Sequence, residues 1–170
     1  MKIFKRILWA LFAVFIIIQV IHPKKNESTE VLASDISKSY AVPTEVNTIL
    51  AKACNDCHSN NTRYPWYNNI QPVAWWLNNH VNEGKQHLNF NDFTSMRVAR
   101  QYKRLNDCME EVKEGGMPLS SYTWIHKDAI LTDSEKQTFN NWCTAVRDSI
   151  KARYPADSLV MPKKKPEASK

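Results

Sequence analysis

The run Cys54-Asn55-Asp56-Cys57-His58 constrains this 170-residue chain more than any other stretch. A C-x-x-C-H run is the attachment signature of a c-type haem: two thiols add to the porphyrin vinyl groups, and the adjacent imidazole becomes the proximal iron ligand. Two intervening residues let one turn of chain lay both sulfurs along one porphyrin edge and carry the next residue under the iron. Two other readings of the same residues fail. A structural zinc site wants a second close pair of Cys or His, whereas Cys108 and Cys143 are single and far apart in the chain. A thioredoxin-like pair wants its C-x-x-C between a strand and a helix start. Here Val46, Ile49, Leu50 and Ala53 recur at i, i+3, i+4 and i+7, which predicts a helix from Pro43 running straight into Cys54.

Three glycines and no run of period-two alternation argue against a sandwich or barrel, so the expected fold class is all-α. A hydrophobic content of 43 % over this length permits one domain with a core, plus tails. The formal charge of +6 would suit a nucleic-acid partner if the folded part carried it. It does not. Residues outside 43–150 hold 12 Lys and Arg against 5 Asp and Glu, those inside 11 against 12, so no net cationic face is offered to phosphates and nucleic acid is excluded as a partner.

Lys2, Lys5 and Arg6 precede an apolar run from Ile7 to Ile21 broken only by Gln19, the pattern of an export signal. The run has 15 residues, at the upper end of a cleavable signal core and short of the ~20 that span a bilayer comfortably. Val31-Leu32-Ala33 fits a cleavage site only loosely and lies far downstream. Residues 1–23 are therefore expected to be an uncleaved transmembrane anchor, with a removed signal peptide as the alternative. Residues 24–42 are polar and aperiodic and read as a tether. The haem-binding domain is expected over 43–150, with a disordered basic tail over 151–170.

Within the domain, Tyr64, Trp66 and Tyr67 are candidates to pack on a haem edge, an apolar body with a polar tip that could reach a propionate. Gln71-Pro72 opens a helix to about Val81, with Gly84 as its stop. A longer helix is expected over 95–114, closed by Gly115-Gly116. Directly after it, Met117-Pro118 offers a thioether on a non-helical segment, a natural distal ligand, with His87, His126 or an open position as alternatives. Met161-Pro162 repeats the dipeptide in the tail and is set aside. Thr132-Asp133-Ser134-Glu135 is a capping box. The stripe Phe139, Trp142, Cys143, Val146 and Ile150 behind it is the expected partner of the Val46–Ala53 face. Cys108 and Cys143 are either a disulfide between two helices or a pair of buried thiols. His58 should donate its second ring nitrogen to a backbone carbonyl, with Pro65 or Pro72 as the expected acceptor.

C-N-D-C-H-S-N-N-T-R-Y-P-W-Y, P-V-A-W-W, E-G-K-Q-H-L-N-F, G-G-M-P-L-S-S-Y and L-T-D-S-E, in that order over residues 43–145, resemble the small exported haem-binding domain family with a single C-x-x-C-H, related in outline to class I cytochromes c. The resemblance implies a cytochrome c-like domain of about four to five helices, one covalent haem c on Cys54 and Cys57, His58 as proximal ligand and Met117 at the position of the family's M-P. Taken together, these features lead to the expectation of a membrane-tethered monohaem cytochrome on the periplasmic side of the cytoplasmic membrane, passing single electrons between redox partner proteins at the membrane. A haem-based sensor or accessory module of a larger redox complex ranks second, and a peroxidase-like enzyme third, since no Arg-His pairing accompanies His87 or His126.

Overall fold

Apolar residues at helical spacing dominate the chain, and the computed structural model, which describes residues 1–162, is correspondingly all-helical. Among the described residues there are eight α-helices and no strand: α1 (Lys2–Ile18), α2 (Ile36–Ser39), α3 (Thr44–Ala53), α4 (Asn55–His58), α5 (Val73–His87), α6 (Val98–Glu114), α7 (Ser120–Thr123) and α8 (Asp133–Arg153). Short 3-10 turns lie at Trp66–Asn69, Phe90–Ser95, Lys127–Ala129 and Ala156–Leu159. The chain divides into two units, one of residues 1–30 and 55–89, the other of residues 31–54 and those from 90 onward.

In the first unit α5 packs on α4 and on the Trp66–Asn69 turn. Ala74, Val81 and Leu88 are buried there. Pro72 precedes α5 at its N-cap, where its missing N–H costs nothing. Gly84 does not stop the helix as expected; α5 continues to His87, and Leu88 is the extended residue that ends it. The transmembrane anchor expected at 1–23 finds no support either. The helix covers 17 residues, about 25 Å at 1.5 Å per residue against a hydrocarbon core of about 30 Å, and among the described residues no helix is long and apolar enough to cross a membrane. It ends where Gln19 turns its side chain inward: Oε1 accepts from the Gln71 amide at 2.9 Å and Nε2 donates to the carbonyl of Phe15. No residue of α1 is buried.

In the second unit α3 and α6 both pack on α8. The two stripes read from the sequence meet as expected: Val46, Ile49 and Leu50 on α3 are buried, as are Phe139, Trp142, Cys143, Val146 and Ile150 on α8. Burying each large side chain of this kind contributes roughly 1.5–3 kcal/mol. The Thr132–Glu135 capping box forms in full, and Lys52 Nζ lies 2.7 Å from Glu135 Oε1, tying α3 to the start of α8. Gly115 closes α6 with φ of +78°, a left-handed conformation that favours glycine.

The stretch 24–42, expected as a polar tether, is instead bonded into the fold. Asp35 caps α2 by accepting from the Ser37 amide at 2.8 Å, Ile36 is buried, Tyr40 meets Phe93 edge-on at 6.2 Å, and Trp142 Nε1 donates to the Ala41 carbonyl at 2.9 Å. The contacts of Tyr40 and Ala41 join residues more than fifty positions apart, so local pattern does not announce them. The tail also begins later than expected: α8 runs on to Arg153, and Ala156–Leu159 packs against α6. The rest of the predicted tail, 163–170, lies outside the described residues.

Candidate functional site

The α3 helix delivers the Cys-containing run. Cys54 is its C-cap, donating its amide to Leu50, and the following single turn α4 carries Cys57 and His58. Within α4 the motif's own filler is structural: Asp56 is buried, and its carboxylate accepts from the Arg63 amide at 3.0 Å and from Nε of the same residue at 3.2 Å. Thr62 Oγ1 donates to the Asp56 carbonyl at 2.7 Å, so the loop after the motif folds back onto it.

His58 is held by the end of α5. Its Nδ1 lies 2.9 Å from the carbonyl oxygen of Leu88. A carbonyl only accepts, so Nδ1 carries the proton and Nε2 keeps its lone pair, the arrangement a metal-ligating imidazole needs. Burial pushes the imidazole below its ordinary pKa, against the pull of the Leu88 and Gly84 carbonyls, with nearby His87 adding to the downward shift. The ring is therefore neutral at pH 7 and competent to ligate. The acceptor expected from sequence, Pro65 or Pro72, is corrected to Leu88: both prolines lie before α5, whereas the imidazole reaches that helix's C-terminal end, where carbonyls are left without helical partners.

Gly84 is the residue that sequence reasoning misread. A Cβ there would meet Cys57 O at 2.6 Å and Cys57 Cβ at 3.0 Å, so α5 approaches the motif as closely as a backbone can. The available signal was its position inside an unbroken helical pattern, where glycine needs a packing reason. Burial, and then the charge of Asp56, push the Cys57 thiol up to about 11.

Asn26 was also missed. Its N–H donates to Tyr64 Oη at 2.8 Å, its Nδ2 to the Ser59 carbonyl and Thr62 Oγ1, both at 2.9 Å, its carbonyl accepts from the Thr62 amide at 2.9 Å, and its Oδ1 accepts from Lys85 Nζ at 2.5 Å. Tyr64 thus has its hydroxyl engaged by Asn26. Trp66 is 76 % exposed and meets Tyr67 edge-on at 5.8 Å, with the Tyr67 phenol raised by burial and then by the charge of Asp56.

Met117 belongs to the other unit. It follows the Gly115-Gly116 break, with its amide bonded to the Glu111 carbonyl at 3.2 Å and its side chain 36 % exposed, on the non-helical segment that the sequence predicts. Of the other candidate ligands, His126 stacks on Tyr122 at 4.4 Å, and His87 ends α5. Cys108 and Cys143 are present as thiols. Burial raises both, Cys108 to about 12; Cys108 lies in α6 and Cys143 in α8, two helices that pack together.

Among the described residues no group of three or more His, Cys, Asp or Glu is arranged to hold a metal ion by itself. A single neutral imidazole with its second nitrogen fixed, beside a cysteine against which a helix backbone is pressed, suits an iron whose remaining ligands come with a macrocycle. The fold is that of an all-helical protein carrying one oriented, neutral imidazole. Residues 13–145 match the haem-binding domain family, well over half of the sequence, and the chain belongs to that family. The match begins well before residue 43 and takes in Gln19 and Asn26. No curated protein and no solved structure matches the chain.

Proposed function

We propose that this protein is a monohaem c-type cytochrome that passes single electrons between redox partners on the outer face of the cytoplasmic membrane. The observation that carries the reading is the His58 bond to Leu88, which fixes the tautomer inside a C-x-x-C-H run. Cys54 and Cys57 would hold the porphyrin as thioethers, His58 would be the proximal ligand and Met117 the distal one. A bound haem supplies a one-electron valence change at iron. The chain's own part is to orient and to exclude. Leu88 orients His58 and, by accepting a hydrogen bond from its Nδ1–H, makes the imidazole a stronger donor. Gly84 permits the close approach of α5 to the backbone of Cys57. Export is supported by Lys2, Lys5 and Arg6 in the first turns of α1, whose exposed Ile3, Phe4, Trp9 and Leu11 suit lipid.

Absorption spectra of the full chain, expressed with haem-attachment machinery, test this. The expected result is a low-spin c-type spectrum on reduction that carbon monoxide leaves unchanged, because both axial positions are filled. Ready binding of carbon monoxide would remove Met117 from its role and bring the sensor reading forward.

A further inference from the structure

We propose that Asn26 is a positioning residue for the haem-attachment motif, and that the working protein therefore retains the segment Gln19–Asn26. The inference rests on the haem-attachment reading of Cys54, Cys57 and His58, but the observations behind it are separate. Every polar atom of Asn26 is engaged, and all the partners lie in the loop after the motif or on α5. One of them, Thr62, passes the restraint on by donating to the carbonyl of Asp56, inside the motif. Lys85, which donates to Asn26, is the neighbour of Gly84, the residue pressed on Cys57.

The other end of the segment is bonded just as fully. Gln19 takes the Gln71 amide, and the Ile21 carbonyl accepts from Gln71 Nε2 at 2.7 Å and from Trp75 Nε1 at 3.0 Å. Gln71 is 0 % exposed. Cleavage at the loose Val31-Leu32-Ala33 site would take away every one of these partners at once. Each hydrogen bond lost in this way shifts the folded-to-open ratio by roughly two- to tenfold. A chain processed there would lose the restraints on both sides of the motif.

The test uses the full chain expressed with haem-attachment machinery, with Asn26→Ala, Asn26→Asp and, as a control on the exposed face of α5, Asn82→Ala. Asn26→Asp keeps an oxygen for Lys85 and removes the donor to Ser59 and Thr62, so it isolates the donation should Asn26→Ala fail to fold. The expected results are an N-terminus upstream of Gln19 by intact mass and, in both Asn26 variants, amide exchange at Thr62 about tenfold faster. A lower haem-loaded fraction and a shifted midpoint potential and spectrum should accompany it. A mature N-terminus beyond Asn26 overturns the proposal. So does an Asn26→Asp protein that melts earlier but keeps wild-type Thr62 exchange, potential and spectrum, since that would be a stability effect alone. If the wild-type chain takes up no covalent haem, the proposed function fails by itself; the N-terminus and Thr62 exchange in the haem-free chain then decide the inference.

Discussion

A methyl group at position 84 would sit 2.6 Å from the carbonyl oxygen of Cys57. In an unobstructed helix interior, alanine in place of glycine stabilises by ~1 kcal/mol. Here the obstacle is backbone, which cannot swing aside, and the sign reverses. Gly84→Ala is expected to destabilise the haem-free chain by about 1–3 kcal/mol in a denaturant titration and to lower haem loading; a stabilised variant would show that α5 does not press on the motif. The residues whose chemistry is in the side chain, Cys54, Cys57 and His58, were legible in the sequence because the side chain is what the sequence spells. Leu88 was not, because its contribution is a carbonyl that every residue possesses. Position alone selects it, and position is a product of the fold.

At the scale of elements, the Lys52–Glu135 pair gives a prediction with a definite sign. The bond from Lys52, then the amide of Thr132, hold the Glu135 carboxyl below its ordinary value of 4.5. A carboxylate with a lowered folded-state pKa stabilises above its unfolded value and loses that contribution as pH falls through the folded one. Glu135→Gln is therefore expected to melt below wild type at pH 7, with the gap closing as pH drops beneath 4.5. A gap independent of pH would show that neither the Lys52 pair nor the cap draws on the charge of Glu135. The meeting of α3 and α8 was legible because both stripes repeat at helical spacing and each needed an apolar partner. The bonding of residues 24–42 was not, since it rests on single polar side chains reaching far along the chain, and polarity without period looks the same whether the segment is tethering or bonded.

For the whole molecule, the apolar start sets the next expectation. At 17 residues α1 is shorter than a comfortable span, so if it lies in lipid, Lys2, Lys5 and Arg6 must reach back to the headgroups or the bilayer must thin. The full chain is expected to stay with membranes through an alkaline carbonate wash. Replacing residues 1–18 by a cleavable signal should release a protein that still loads haem; loss of loading would mean that α1 itself supports the site. The location of Asn26 and its partners also sets an order in time. Chains emerge N-terminus first, so Asn26 appears before the motif, and the motif appears before Gly84, Lys85 and Leu88. The bond from Lys85 closes a loop of 59 residues, and that from His58 to Leu88 one of 30. Until residue 88 has emerged, the imidazole has no fixed tautomer and Cys57 no helix against it. The emerging chain thus passes through an interval in which Cys57 has no helix packed on it, and completion of α5 ends it.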